Sequence, residues 1–392
     1  MKIISNKSND KLTVGIDIGS SKICCAVGQI KSEKNNIKLL GLATTKSRGI
    51  KRGVITDRDE LIETIEKVLT DAEVMANTKI TSTYLSITGD HIRSINTQAA
   101  IALNRINGGA RNISERSIEQ EDIYQVLDLA QAVSLPVDKD ILHTIPQEYV
   151  VDTLEDIKNP LGMMGRRLEA RVHLVTAAST AINNLINCVE ELGISVDGLV
   201  FQPVASALAS LEKDEMDLGV TLVEFGSNTT NIAVYHGSAL RHSSTIPIGS
   251  ASITNDIAVM LRTSINTAEN IKIKYSSAKA SLSSPNLDFK ISDSEDDENR
   301  NISEYKLSEY VEARMEEIFH LSKKEIKRAG LNDALTYGLV LTGGGSQLRN
   351  ISALAKDFFC TPVRIGKPII KIEGNKDFID KPINATVLGL LI

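Results

Sequence analysis

Two stretches roughly two hundred residues apart share one pattern: GIDIGSSKICCAV (15–27) and LVEFGSNTTNIAV (222–234). Each runs apolar strand, acid, one apolar residue, glycine, short polar turn, apolar strand. A repeated supersecondary unit of this kind predicts two related lobes, each presenting a hairpin to a shared cleft. A third glycine-rich turn, Gly343-Gly344-Gly345-Ser346, follows the apolar run LVLT. Alone, each turn needs glycine for backbone reasons only. Together they place many backbone N–H groups and hydroxyls where a polyphosphate could sit. The third turn is expected to open a helix, whose N-terminus favours anionic or polar groups.

The totals fit this picture. A chain of 392 residues is too long for one ordinary core, so two lobes or several subdomains are expected. Aromatics make up 4% with no Trp, which argues against a single-stranded nucleic-acid binder that needs stacking platforms. A net charge of −6 argues against a general DNA-binding surface. Cys24, Cys25, Cys188 and Cys360 lack metal-ligand spacing. They read as small buried residues in a reducing cytoplasm. The polar start MKIISNKSND is not a signal peptide, and no apolar run approaches the ~20 residues of a membrane span.

Along the chain, three strands (11–30 and 37–44) precede a helix at 58–76 capped by Thr56 or Asp57. The block 83–164 reads as a small α+β insertion, with a helix opening near Ser117 and a strand interrupted by Pro146. An amphipathic helix at 180–193 ends on Gly193, and another at 304–330 on Gly330. Between them, 276–301 is polar, with five acids in the six residues 293–298, and reads as a solvated loop. There is no GxxxxGK[ST] P-loop, and GGGSQL lacks the GxGxxG spacing of a dinucleotide fold.

VGIDIGSSK, LVEFGSNTTNIAV and LVLTGGGSQL, in this order, resemble the phosphate and adenosine motifs of the actin/Hsp70/sugar-kinase superfamily. SRGIKRGVITD, ILHTIPQEYVVD, IKNPLGMMGRRLEARVHLVTA and GSALRHSSTIPIG are similar to segments of the bacterial cell-division FtsA family. The resemblance runs from about residue 12 to the end. It implies an α/β, two-lobed actin-like ATPase fold with four subdomains. Lobe I would comprise 1–82, 165–203 and 364–392, with 83–164 as an FtsA-type insertion. Lobe II would comprise 204–246 and 332–363, with 247–331 as its outer part.

The resemblance also implies ATP and Mg²⁺ between the lobes. Asp17 would hold the Mg²⁺ shell through water. Gly19, Ser20, Ser21 and Lys22 would meet the β- and γ-phosphates, and Glu224, Gly226, Ser227, Asn228 and Thr229 the other side. Gly343, Gly344, Gly345 and Ser346 would flank ribose and base, and Glu269 and Lys272 would border the adenine. Gln202 would orient the attacking water, the task a Gln performs in other nucleotide hydrolases.

Two departures bear on the chemistry. The second motif of the family usually has Asp at both acidic positions; this chain has Glu224 and Asn231. Its turn carries Ser227-Asn228 in place of glycine, tolerable because Asn adopts positive φ more readily than other residues. Phosphoryl transfer depends on charge placement, so binding with weak or absent hydrolysis is expected.

By the same resemblance, Arg300, Lys306 and Arg314, with Lys323, Lys324, Lys327 and Arg328 nearby, would meet the acidic C-terminal tail of FtsZ. Further partners would be self-copies in actin-like protofilaments and downstream divisome proteins through 83–164. The protein would work in the cytoplasm, at the inner face of the membrane at the division site. The family's C-terminal membrane helix has no counterpart in this chain, so no autonomous membrane binding is expected. Nucleic acid is not expected as a partner. The alternatives are a PilM-like pilus-assembly adaptor and a sugar kinase of the same superfamily.

Overall fold

The computed structural model describes residues 11–31, 36–103, 115–284, 287–291, 300–331, 335–369 and 372–392. The repeat seen in the sequence extends to whole sheets. In lobe I, strands Lys11–Ile18, Lys22–Lys31 and Asn36–Lys46 form an antiparallel meander. The first also pairs in parallel with Ser82–Ile87, which pairs in parallel with Ser195–Phe201. In lobe II, Val220–Phe225, Thr230–His236 and Ala239–Ile246 form the same meander. Its first strand runs parallel to Leu339–Thr342, and that strand to Val363–Ile365. Ile372–Glu373 adds a sixth strand to the lobe I sheet.

The central strands are apolar because both faces of each sheet are covered. Helix Arg58–Ala76 buries Leu61, Ile65, Val68 and Leu69 on one face of the lobe I sheet. Asp57 caps it by accepting from the Glu60 N–H at 3.1 Å. Val387, Leu388 and Leu391, in and just after the last helix, Ala385–Gly389, cover the other face around Cys24 and Ala26. Lobe II buries Val223, Ile232 and Leu341 against helices Ser250–Leu261 and Glu304–Arg328.

Helix Gln202–Ser210 joins the lobes. It starts where Phe201 enters the lobe I core and ends with Ala207 in the core beneath the lobe II sheet. The last helix packs on it so closely that a Cβ on Gly389 would lie 1.9 Å from the Ala205 carbonyl oxygen.

Several expectations change. Ser82–Ile87 belongs to the lobe I sheet, so the insertion begins after it rather than at 83. Arg167–Ala178 was expected in the lobe I core, but it is central in the insertion's sheet, between Lys139–Val151 and Arg93–Ala102. Helix Gln120–Gln131 is capped by Glu119 rather than Ser117 and buries Ile123 and Val126 against that sheet. Pro146 does not interrupt its strand: it sits at a register shift opposite Val172, where a missing N–H is tolerated. The third glycine turn opens a 3₁₀ turn, Gly344–Gln347, before the α-helix Ile351–Phe359. Cys24, Cys25 and Cys188 are buried, whereas Cys360 is exposed. The acid-rich stretch 293–298 lies outside the described residues.

The insertion meets lobe II through a polar seam. Gln147 Nε2 donates to the Leu240 carbonyl at 2.7 Å and Ser94 Oγ to the Ser243 carbonyl at 2.6 Å. Buried His173 bridges the two, hydrogen-bonded to Asn96 Oδ1 at 2.6 Å and Ser243 Oγ at 2.8 Å.

Candidate functional site

A cavity of about 670 Å³ opens between the lobes. Both hairpin turns reach it, and both close alike: the Gly19 N–H donates to the Lys22 carbonyl at 3.0 Å, and the Gly226 N–H to that of Thr229 at 2.9 Å. Asp17, Gly19, Ser20, Ser21 and Lys22 line the lobe I side, and Glu224, Gly226, Ser227, Asn228 and Thr229 the lobe II side. Gly343, Gly344, Gly345, Glu269, Lys272 and Gln202 line it too. Ser346 does not: it is buried, and its hydroxyl donates back to the Gly343 carbonyl at 2.7 Å. Asn228 keeps a negative φ, so this turn does not need the left-handed conformation the sequence suggested.

Beneath the turns lies a buried polar network. Asp17 Oδ1 accepts from Ser86 Oγ at 2.7 Å and from Gln202 Nε2 at 2.8 Å. Asn231 Nδ2 donates to Glu224 Oε2 at 2.9 Å and to Gln202 Oε1 at 3.3 Å. Its Oδ1 accepts from Thr88 at 2.8 Å and Thr245 at 2.9 Å. Glu224 Oε1 accepts from Ser206 at 2.6 Å and from Thr386. Thr88 and Gln202 thus tie lobe I to Asn231 of lobe II. Burial pushes the carboxyls of Asp17 and Glu224 above their usual range, against the hydrogen bonds that favour the charged forms. The negative charge of Asp17 raises Glu224 further.

Sequence reasoning missed Ser86, Thr88, Ser206 and Thr386. One signal could have found the first two. They lie at the carboxyl end of the parallel neighbour of the Asp17 strand, where open α/β sheets place ligands.

At the far end of the cavity, Lys272 Nζ lies 2.7 Å from Glu269 and donates to Thr254 at 2.9 Å. Arg349 lines the same end and pairs with Glu304. The residues expected to meet an acidic peptide lie on the outer part of lobe II. Arg314 is not free: it makes two bonds to Asp256, at 2.5 and 2.9 Å, and another to Glu317. Lys306 is exposed. The Arg300 side chain lies outside the described residues.

The donor set suits a polyphosphate: hydroxyls of Ser20, Ser21, Ser227 and Thr229, the Lys22 ammonium and two turns of backbone N–H. Asp17 is a carboxylate on the same lining that could hold a cation's water shell.

Comparison with known proteins decides the family. A model described as "Cell division protein FtsA" matches residues 221–389, and one described as "SHS2 domain inserted in FTSA" matches 89–176. The cell division protein FtsA of Pseudomonas aeruginosa is 39% identical over 99% of this chain and 90% of its own length. That of Escherichia coli K12 is 34% identical over 97% of this chain and 90% of its own. The chain belongs to the FtsA family of cell-division proteins.

Solved structures agree on the fold. A PilM–PilN type IV pilus biogenesis complex aligns with a TM-score of 0.68 at 15% identity, covering 96% of this chain and 97% of that one. MreB5 of Spiroplasma citri bound to ADP aligns with a TM-score of 0.55 at 13% identity, covering 97% and 94%. The fold is the actin-like one, with the FtsA-type insertion. Among the described residues, no helix is long and apolar enough to cross a membrane.

Proposed function

We propose that this cell-division protein binds Mg²⁺·ATP in the interlobe cleft and hydrolyses it weakly or not at all. The observation that carries the reading is the convergence of two like-closed hairpin turns and a glycine turn on one 670 Å³ cavity. Poor hydrolysis follows from the state of Gln202. Its amide nitrogen donates to Asp17 and Ser86 and its oxygen accepts from Asn231, so both donors are spent and the side chain is tied in place beneath the turns, with one lone pair of Oε1 left for a water. Mg²⁺, when bound, would supply charge neutralisation at the phosphates.

As an FtsA-family member, the protein would polymerise into actin-like protofilaments. It would link FtsZ filaments to the inner face of the membrane, and the insertion would meet downstream divisome proteins. With Arg314 tied to Asp256, Lys306 is the better candidate for contact with the acidic FtsZ tail. Thermal unfolding with ATP and Mg²⁺ tests the core of this proposal. A shift with turnover below about one per minute supports it. No ATP-dependent shift, or faster turnover, refutes it.

A further inference from the structure

The nucleotide reading leaves one limb of the cleft without a role. Strand Asn36–Lys46 ends beside the first phosphate turn: Lys46 stands opposite Lys22 in register, and the Ser47 N–H donates to the Ser21 carbonyl at 3.0 Å. Lys46 and Ser47 both line the cavity. The Ser47 hydroxyl oxygen is buried and has no hydrogen-bond partner. A buried hydroxyl left unpaired is costly, so on a residue that lines a cleft it marks a place where a ligand can supply the partner once the side chain turns about χ1.

Charge points to the same limb. Four cationic side chains line the cavity: Lys22, Lys46, Lys272 and Arg349. Lys22 Nζ donates to the Ile383 carbonyl at 2.8 Å and to Asn384 Oδ1 at 3.1 Å. Lys272 is paired with Glu269 and Arg349 with Glu304. Lys46 is exposed and makes no ion pair among the described residues. The phosphate end also holds two buried acids, Asp17 and Glu224. An uncommitted ammonium is what that end lacks for an anionic ligand.

The limb is held in place from behind. The next turn, at Arg52, donates its N–H to Ser20 Oγ at 3.0 Å. A Cβ at neighbouring Gly53 would lie 1.8 Å from the Thr88 carbonyl oxygen. The segment 46–53 is therefore fixed both to the phosphate turn and to the strand end that carries Thr88.

We propose that Lys46 and Ser47 form an additional phosphate-binding limb of the cleft. The Ser47 hydroxyl donates to a phosphate oxygen and the Lys46 ammonium supplies charge. The proposal rests on the nucleotide reading of the cleft and specifies which residues take the polyphosphate. Its test is calorimetric titration of the full chain with ATP and Mg²⁺, for native protein, Ser47→Ala, Lys46→Gln and Lys46→Arg. Ser47→Ala and Lys46→Gln should each weaken ATP about tenfold, the usual worth of a charged hydrogen bond. Lys46→Gln should flatten the salt dependence of binding, and Lys46→Arg should restore most of the affinity. The unliganded unfolding midpoint should stay at the native value in all three. ATP affinity unchanged in both Ser47→Ala and Lys46→Gln overturns the proposal. So does a loss of affinity that tracks a fall in the unliganded midpoint. If the native protein takes no ATP at all, the nucleotide reading fails first.

Discussion

Asn231→Asp restores the acid that FtsA-like second motifs usually carry, and the network here predicts that it destabilises the protein. Asn231 Nδ2 sits 2.9 Å from Glu224 Oε2, and both residues are buried. A carboxylate in place of that amide puts two like charges side by side. At an effective dielectric of 20 and a separation of about 4 Å, the repulsion is about 4 kcal/mol. The lost Nδ2 donor adds about 1 kcal/mol. The chain can escape by keeping one proton on the pair. From an ordinary pKa near 4, that costs about 5 kcal/mol at pH 8 but only about 1 kcal/mol at pH 5. The sign follows: a carboxyl whose folded pKa is raised gives stability present below its unfolded value and lost as pH rises through the folded one. Urea unfolding in EDTA should show Asn231→Asp weaker than native by about 5 kcal/mol at pH 8 and about 1 kcal/mol at pH 5. Millimolar Mg²⁺ should recover part of the loss at pH 8, because the new pair can share a cation. Equal stability of the two proteins at pH 8 without Mg²⁺ would refute the arrangement of Asn231 against Glu224.

Three further outcomes follow from the same structure. Burial holds His173 down to about 3 and His143 to about 4, so both stay neutral in the folded state while the unfolded chain takes up protons below about pH 6.5. Stability is full above that value and falls as pH drops, by roughly 2 kcal/mol per histidine between pH 7 and 5. Asp17 and Glu224 act in the opposite sense but cancel in a comparison of native with His173→Gln, which should have the shallower slope; equal slopes count against a neutral buried His173. Gly389→Ala drives a methyl against the Ala205 backbone, which cannot swing aside, and should cost about 2 kcal/mol or more in urea unfolding. Lys306→Glu should weaken an FtsZ-tail peptide in fluorescence anisotropy without changing the unfolding midpoint, whereas Arg314→Ala should lower the midpoint because it leaves Asp256 unpaired.

The parts legible in sequence are those with a local signature. Hairpin turns announce themselves by glycine and flanking apolar strands, and their repetition revealed two lobes. The insertion's far boundary did not show. Arg167–Ala178 is buried through most of its length, so it looks like any central strand, and only long-range register assigns its sheet. The serine and threonine partners in the polar network carried no local signature either. Ser86 is 69 positions from Asp17, and Thr386 is 162 from Glu224. Lone serines and threonines at strand and helix ends give no periodic signal, because their partners come from topology.

The two departures in the second motif are coupled through this network. Glu224 reaches across to lobe I, where Ser206 on the connecting helix and Thr386 on the last helix donate to one carboxylate oxygen. Its other oxygen is left facing position 231 inside the fold, where it needs a donor. Asparagine supplies that donor and still accepts from Thr88 and Thr245 with its own oxygen. An aspartate there has no N–H to give. With Glu at 224 in this orientation, a neutral amide at 231 is what electrostatics requires. If the cleft takes Mg²⁺·ATP as proposed, the cost is one carboxylate fewer to hold the metal's water shell. The same amide also donates to the Gln202 oxygen, which helps hold that side chain against Asp17. The buried link between the lobes, and the weak hydrolysis proposed above, would thus trace to a single pair of residues.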